Sequence, residues 1–421
     1  MKNKTQTLVP LKALPMVFLL VALLASVVCF SGCEKIQQQC NRRRTIVLTK
    51  TEQAIHADAG IFAFRLFKQV ALEEDGGFFI SPLSASLALS MTANGTAGNT
   101  AVQMKEVLGF EGYTYEEMNG FFEKMSRELP NADKKTQLAI ANSLWIREGF
   151  PVYDSYKNLL DTYYHAQARE LNFDSNQAIK TINNWCANKT NGLIKEIIDE
   201  IEPSMLAYLI NALYFKGTWT YAFDAAHSYD DTFYPDFEQE STVNYMTQTE
   251  TFPYTETEFA GIASFPYGNQ AYSMVVILPK EGVTAKQVIH QEMTPAIWQT
   301  VMNDLECNNR KLEVSMPKFT TEFEKDLIPT LWAMGMTLPF IEGAADFSNL
   351  SPVSGLFIGL VKQKTYIEVN EKGTRAAAVT AVGIRKTSLD PDAPMPFTIN
   401  KSFLYLIVEK STGTILFMGR Q

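Results

Sequence analysis

A run of small residues near the end of this 421-residue chain, residues 371–388, restricts its possible folds more than any other segment. Alanine favours helix, so a short surface helix that begins near Gly373 is one interpretation. The run has no apolar face at a period of 3.6 residues, however, whereas it alternates well at a period of two. One of its two faces carries only uncharged side chains: Thr374, Ala376, Ala378, Thr380, Val382 and Ile384. Such a strand can enter between two others with little steric conflict, so the pattern also predicts an insertable strand.

Composition and charge exclude several classes of protein. Hydrophobic residues make up 46% of the chain, which supports a packed core and argues against disorder. The net charge of −9 has the wrong sign for a nucleic-acid surface, which needs clustered Lys and Arg. The five cysteines form no CxxC pair, so neither a disulfide scaffold nor a zinc site is expected. We expect no metal and no cofactor.

The first 32 residues have the layout of a secretory signal. Three lysines precede an apolar run over residues 13–30, which ends at Phe30-Ser31-Gly32-Cys33. This ending resembles a bacterial lipobox with Cys33 as the lipidated residue, although Phe30 stands where Leu is usual. An uncleaved membrane anchor is the alternative, because an apolar run of this length can just span a bilayer. Residues 33–52 are predicted to form a flexible tether, and either interpretation places the rest of the chain outside the cytoplasm.

The remainder, residues 53–421, is predicted to form one α+β domain. Ser81 and Pro82 suit the cap and first turn of a helix that follows a short buried strand. The apolar run over residues 206–215 is typical of a central strand. Helices cluster in the first half and strands in the second. Strands are expected at residues 358–361 and at residues 365–370, where polar and apolar residues alternate. Without regular βα alternation, this pattern predicts helices around a large mixed sheet.

The sequence contains no recognisable catalytic motif. Its four histidines are far apart, and there is no GxSxG elbow, no HExxH helix and no SxxK motif with its partners. An enzyme is therefore not expected, and a lipoprotein enzyme is kept only as a hypothesis without a supporting motif.

A series of motifs resembles the serpin family over residues 53–421. In chain order they are Ile80-Ser81-Pro82-Leu83-Ser84, Ile182-Asn183-Asn184-Trp185, Asn211-Ala212-Leu213-Tyr214-Phe215-Lys216-Gly217-Thr218-Trp219, Pro317-Lys318-Phe319, Ala345-Asp346-Phe347-Ser348 and Phe397-Thr398-Ile399-Asn400-Lys401-Ser402-Phe403-Leu404. Each motif is weak alone, but all of them in family order form a specific signal. The lipoprotein-type start makes the chain similar to the bacterial, miropin-like members.

The resemblance implies the serpin fold, with three β-sheets, eight to nine helices and an exposed reactive-centre loop. It also implies suicide-substrate inhibition. A target protease attacks a bond in the loop and forms an acyl-enzyme, and the hinge of the loop inserts into the largest sheet before water hydrolyses the ester. A non-inhibitory serpin that serves as a binding or scaffold protein is the alternative, although the small residues of the run argue against it.

The resemblance assigns the run to the hinge and the reactive bond of this loop. The predicted hinge residues are Glu371, Gly373, Thr374, Ala376, Ala377, Ala378 and Thr380. The family spacing puts the reactive bond between Thr387 and Ser388, which would suit elastase-like or subtilisin-like proteases. Arg385 and Lys386 are alternative reactive positions that would suit trypsin-like proteases, whose specificity pocket is acidic. Arg375 departs from the Glu that is common at its position, but it belongs to the outward face.

A second set of residues matches the polar cluster that governs sheet opening in the family: Ser81, Ser84, Asn211, Gln363 and Trp219. Gln363 stands where His is usual. Its amide can donate and accept hydrogen bonds but does not titrate, so no pH dependence through this residue is expected. Trp219 matches the residue near the point where insertion begins.

The expected partners are target serine proteases, and some cysteine proteases, in covalent complexes. Heparin-like activation is not expected, because the stretch after Glu111 is acidic. We expect a monomer that is lipid-anchored to the bacterial cell envelope and can also be released. The sequence leaves open the physiological protease and the side of the membrane that the protein faces.

Overall fold

The computed structural model describes residues 43–236, 238–374 and 393–421. Within them, Arg44–Gln421 forms one compact unit. Its packed part begins before the first helix: Arg44 forms an ion pair of 2.8 Å with Glu128, and Ile46 is buried. No helix among these residues combines the length and apolar character needed to cross a membrane.

The described residues contain nine α-helices and fifteen strands. The helices are α1 (Lys50–Glu73), α2 (Pro82–Ala93), α3 (Gly98–Leu108), α4 (Tyr115–Glu128), α5 (Asp154–Tyr164), α6 (Asn176–Lys189), α7 (Ala285–Glu292), α8 (Pro295–Cys307) and α9 (Ile328–Ala333). The strands are β1 (Phe78–Ile80), β2 (Gln137–Arg147), β3 (Gln167–Leu171), β4 (Ala207–Lys216), β5 (Tyr229–Phe233), β6 (Ser241–Glu256), β7 (Ala260–Tyr267), β8 (Tyr272–Pro279), β9 (Asn309–Pro317), β10 (Phe319–Asp326), β11 (Lys362–Asn370), β12 (Gly373–Thr374), β13 (Met395–Thr398), β14 (Leu404–Glu409) and β15 (Thr414–Arg420).

In the described part of the chain, the strands form three sheets. The largest has the order β1-β15-β14-β8-β7-β6-β9-β13, with β5 against β6. The other two are three-stranded, β10-β11-β12 and β3-β2-β4. These three sheets and nine helices confirm the predicted α+β class and the element numbers that the resemblance implied.

Helix α2 lies at the centre of the molecule. Ser81 caps it by accepting a hydrogen bond of 3.2 Å from the Ser84 amide, and Pro82 occupies its first turn, as the sequence predicts. All of its residues except Ala88 are buried, and the helix packs against β4 and β15. The opposite face of β2 and β4 is covered by α6, where Trp145, Ile182 and Ile210 belong to a separate apolar cluster.

Strand β11 alternates between buried and half-buried residues as a strand with one covered face should. The buried positions are Gln363, Thr365, Ile367 and Val369. The prediction of a strand at residues 358–361 is wrong, because this segment pairs with none of the strands in the described part of the chain. It is held instead by single hydrogen bonds, such as that of 2.8 Å from the Ile358 amide to the Pro339 carbonyl, and the strand begins only at Lys362.

Candidate functional site

Strands β4 and β11 lie side by side, but no ladder of hydrogen bonds joins them. They run in the same direction, because β12 is antiparallel to β11 and also forms an antiparallel bridge with Thr218, just beyond β4. A cavity of about 340 Å³ separates them, lined by residues 207–213, by residues 362–365 and by α2. We call this space the strand gap.

Gly373 and Thr374, two of the predicted hinge residues, lie at one end of the strand gap. Thr374 is opposite Val369 of β11, and on its other side its amide donates a hydrogen bond of 2.8 Å to the carbonyl of Gly217. The chain therefore reverses direction directly after β11 and enters between the two three-stranded sheets.

Gly373 has a backbone conformation that requires glycine. Its φ is +130°, which residues with a side chain rarely adopt. A Cβ at this position would also collide with the carbonyl oxygen of Gly217 and lie 2.7 Å from the Thr218 Cα. Glycine thus allows the chain to approach the end of β4 closely.

The side chain of Thr374 points into the core. It is 5% exposed, and its hydroxyl is 2.8 Å from the Tyr267 hydroxyl. Tyr267 stacks on Trp219 at a centroid distance of 4.5 Å, and Trp219 donates from Nε1 to the Asn370 carbonyl at 2.9 Å. Burial raises the pKa of Tyr267, so its hydroxyl stays neutral at this contact. Two aromatic rings therefore fix the position of the Thr374 side chain.

Glu371 anchors the chain where it leaves β11. Its carboxylate accepts hydrogen bonds from Lys318 Nζ at 2.9 Å and from the Ser228 hydroxyl at 2.8 Å, and its carbonyl accepts from the Phe223 amide at 2.9 Å. Burial alone would raise the pKa of this carboxyl, but the bond from Lys318 and that from Ser228 outweigh it and hold the pKa below its usual value. The base of the predicted hinge is therefore held by an ion pair and by backbone hydrogen bonds.

Three residues of the predicted sheet-opening cluster meet at the strand gap. The Gln363 side chain accepts from the Ser81 amide at 3.0 Å and donates to the Ser81 carbonyl at 2.9 Å. Ser81 in turn donates from its hydroxyl to Leu416 at 2.7 Å and caps the helix through Ser84. Gln363 thus ties β11 to the start of α2 with both ends of its amide.

The other two residues of that predicted cluster form no hydrogen bond with these three. Asn211 belongs to β4 and lines the strand gap from the opposite side, where its Nδ2 donates to Asn142 at 2.7 Å and not to Ser81, Ser84 or Gln363. Trp219 lies at the entrance beside Thr374. The cluster is therefore split between the two walls of the strand gap and its mouth.

Several predicted site residues lie outside the described residues. These are the hinge residues Ala376, Ala377, Ala378 and Thr380, the reactive positions Arg385, Lys386, Thr387 and Ser388, and the lipidation site Cys33. Among the residues that are described, no group of three or more His, Cys, Asp or Glu side chains could hold a metal ion.

Sequence reasoning missed three contributors to the site: Tyr267, Lys318 and Asn142. Lys318 stood in a family-like motif, Pro317-Lys318-Phe319, but nothing in that motif connects it to Glu371, 53 positions away. Tyr267 and Asn142 lie on strands whose apolar or alternating pattern indicates core positions only. A pattern within one strand cannot identify a partner on another.

Comparison with known proteins agrees with this geometry. Residues 58–421 match the family model "Serpin (serine protease inhibitor)". The chain is 32% identical to human Serpin B8 over 368 residues, which cover 86% of this chain and 97% of that protein. It is also 32% identical to mouse Antithrombin-III over 404 residues, or 92% of this chain and 84% of that protein.

A similar solved structure is that of the thermophilic serpin Tengpin in its native state. The TM-score is 0.79 at 33% sequence identity, and the alignment covers 90% of this chain and 95% of that one. Sequence and structure therefore lead to the same conclusion, and the chain belongs to the serpin family.

Proposed function

We propose that this protein is a suicide-substrate inhibitor of serine proteases, and of some cysteine proteases, that traps the acyl-enzyme by inserting its cleaved loop into the strand gap. The observation that carries the proposal is the position of Gly373 and Thr374. They already pair with β11 on one side and bond to the end of β4 on the other. A strand that continued from them would run antiparallel to both walls.

The two registers at the mouth of the strand gap agree on where such a strand would go. If the strand continued from Thr374 without a bulge, its pairing with β11 would place residue 380 opposite Gln363. The bridge between Gly373 and Thr218, continued in the same way, would place residue 380 opposite Asn211. The hydroxyl of Thr380 would then lie between two amide side chains, Gln363 on β11 and Asn211 on β4. Polar side chains that are buried need such partners.

The same registers also match the length of the strand gap. Residue 387 falls opposite residue 356 on one wall and residue 204 on the other, and both of these line the cavity. From Thr374 to Thr387 the chain spans about 43 Å at roughly 3.3 Å per residue. This fit supports Thr387–Ser388 as the reactive bond, because Thr387, whose carbonyl would form the ester with the protease, would reach the far end of the strand gap.

The inward face of the inserted segment suits the buried wall of β11. Ala376 would face Ile367 and Ala378 would face Thr365, both of which are buried. Small uncharged side chains at these levels meet the core without a volume conflict.

Insertion would release a large free energy. A strand of about eight residues between β4 and β11 gains about one ladder hydrogen bond per residue on each side, and each contributes roughly 0.5–1.5 kcal/mol. The total is on the order of 10 kcal/mol, comparable with the stability of a whole domain. A protein that stores this gain until cleavage is kinetically trapped in its native state.

In the proposed mechanism the protease serine attacks the carbonyl of the residue before the reactive bond. The peptide bond to the next residue breaks, the new amine leaves with a proton from the protease histidine, and an ester joins inhibitor and protease. Insertion then competes with hydrolysis of that ester. If insertion is faster, the protease is carried along the sheet and its active site is distorted before water can attack.

The test is incubation of the purified protein with trypsin, elastase and subtilisin, followed by a denaturing gel. A covalent band at the summed mass supports inhibition. Clean cleavage without a complex for all three proteases would favour a non-inhibitory serpin, which is the alternative function. The mass of the released C-terminal peptide separates cleavage after Thr387 from cleavage after Arg385 or Lys386.

We also propose that the protein is a bacterial lipoprotein, similar to the miropin-like members, that acts as a monomer outside the cytoplasm. The lipobox-like ending at Cys33 supports this. Metabolic labelling with a fatty acid should mark the full chain but not a Cys33→Ala variant, and label on both chains would contradict the assignment.

A further inference from the structure

A chain of hydrogen bonds joins helix α1 to the turn between β14 and β15, residues 410–413. Nε2 of His56 is 2.9 Å from the Thr414 hydroxyl, which is 2.6 Å from the Thr412 hydroxyl. The Thr412 hydroxyl is 2.7 Å from the carboxylate of Glu409, a side chain that is fully buried. The chain therefore connects a titratable ring on α1 with a buried carboxylate at the end of β14.

The carboxylate fixes the direction of every bond in this chain. It accepts four hydrogen bonds, from the amides and the hydroxyls of Ser411 and Thr412, so the one hydroxyl proton of Thr412 goes to Glu409. Thr412 must then accept from the Thr414 hydroxyl, and Thr414 must accept from His56. Nε2 of His56 therefore carries a proton in the neutral ring, and Nδ1 is the atom that gains a proton in acid.

The surroundings of His56 disfavour that second proton. No described residue forms a hydrogen bond or an ion pair with Nδ1. The ring is half-buried, packs edge-on against Phe121 at a centroid distance of 6.4 Å, and lines a cavity of about 690 Å³ between α1, α4 and α8. Burial accordingly lowers the pKa of His56 to about 4.

The charged groups on the elements around His56 do not supply the missing partner. They are Glu52 on α1, Lys124 on α4, Glu306 on α8, Glu409 on β14 and Lys410 in the turn. Glu52 and Lys124 pair with each other at 2.6 Å, and Glu409 is linked to the ring only through the two threonines. A charged ring would therefore gain its full hydration only if its contact with the turn opened.

We propose that His56 is an acid-sensitive contact, which holds the turn against α1 as a neutral ring and releases it when Nδ1 is protonated. The turn also holds the segment before α1, because the Ile46 amide donates to the Ser411 hydroxyl at 2.9 Å. Acid should therefore loosen both the start of β15 and the segment around Ile46. This inference does not depend on the proposed function.

The size of the effect follows from the pKa of His56 in the closed and open forms. The contact is fully stable above the ordinary histidine pKa of about 6.5, and it weakens as the pH falls toward the lowered value. With these two values, lowering the pH from about 7.5 to about 4.5 favours the open form roughly 70-fold.

The test is hydrogen exchange of the full chain, in which His56→Gln is compared with the wild type and with a control, His227→Gln. Glutamine can still hydrogen-bond the Thr414 hydroxyl but does not titrate, whereas His227 is an exposed histidine. At about pH 7.5 the amides of residues 411–414 should exchange at rates within about threefold in all three proteins. At about pH 4.5 they should exchange roughly 70-fold more slowly in His56→Gln than in the other two proteins.

Comparison at one pH cancels the intrinsic exchange rate and any titration of Glu409, which all three proteins share. A difference below about threefold at pH 4.5 would overturn the proposal. A second measurement keeps the proposal testable if His56→Gln does not fold: NMR of the wild type follows the ring protons of the histidines, and His56 is recognised by its contact with Phe121. We expect this ring to titrate below about pH 5, and titration near pH 6.5 would also overturn the proposal.

Discussion

Replacing Thr374 by arginine tests the proposed hinge at the residue where insertion would start. In the structure this side chain is 5% exposed, lies opposite Val369 and contacts the Tyr267 hydroxyl. A guanidinium group there would be buried among aromatic rings, and no described acidic side chain is among these contacts. An unpaired buried charge costs about 3–5 kcal/mol.

Because Thr374 is already buried before cleavage, we expect the arginine variant to avoid this cost by moving out of its place opposite Val369. Insertion would have to bring the arginine back there, so the cost returns at the step that decides the fate of the acyl-enzyme. If about 3 kcal/mol is added to the barrier for insertion, the rate falls by a factor of about 100 or more, because each 1.36 kcal/mol is tenfold. Hydrolysis of the ester is unaffected and becomes faster than insertion. We therefore expect Thr374→Arg to be cleaved as an ordinary substrate.

The assay is a titration of an inhibited protease, with a denaturing gel to detect the covalent complex. Thr374→Val is the matched control: it keeps the shape and loses only the hydroxyl contact with Tyr267, so it should still form the complex at a stoichiometry within about threefold of the wild type. If Thr374→Arg forms the complex as efficiently as the wild type, the hinge assignment is wrong.

Three further predictions concern residues that hold the strand gap or its mouth in place. Gly373→Ala should release the hinge from Gly217 and make it more sensitive to limited proteolysis, since φ of +130° strains any side chain by about 1–3 kcal/mol; an unchanged digestion pattern would contradict this. Gln363→Leu leaves the buried Ser81 amide without a partner, while the Ser81 carbonyl keeps its bond from the Ala85 amide, and should lower the free energy of unfolding by roughly 1–3 kcal/mol in chemical denaturation; an unchanged free energy of unfolding would argue against the role of this amide. The pKa of Glu371 is lower in the folded than in the unfolded protein. Its carboxylate therefore stabilises the folded state fully above the unfolded-state pKa, and this stabilisation is lost as the pH falls through the folded-state pKa. The difference in thermal unfolding temperature between wild type and Glu371→Gln should therefore be full near pH 7, begin to shrink near the ordinary glutamate pKa of about 4.3 and be lost only in stronger acid; a difference that does not change with pH would exclude the ion pair with Lys318 as its source.

Local sequence patterns were enough to predict the elements that carry the site. Ser81 and Pro82 identified the start of α2, and the alternation of residues 365–370 identified β11, because capping and burial on one face act within a few residues. The prediction of a strand at residues 358–361 was wrong, because an apolar segment does not have to pair with a neighbouring strand. Its apolar character reflects the far end of the strand gap that it lines, and not pairing with a neighbouring strand.

The contacts between elements could not be predicted in this way. Tyr267 meets Thr374 across 107 positions of sequence, and the two registers at the mouth of the strand gap depend on how separate sheets are placed. The orientation of Asn211 is decided by a backbone carbonyl on α5, Tyr164, which no pattern in β4 reveals. The family resemblance supplied the grouping of Asn211 with Ser81 and Gln363, but the structure is needed to place them on opposite walls.

Hydrogen exchange before and after cleavage of the loop tests the central claim most directly. If the cleaved segment becomes a strand between β4 and β11, backbone amides in residues 207–216 and 362–370 should exchange markedly more slowly after cleavage, because new ladder bonds protect them. Strands β7 and β8, which are paired with each other along their full length, should not change and serve as the internal control. Unchanged exchange in both β4 and β11 after complete cleavage would contradict insertion at this site.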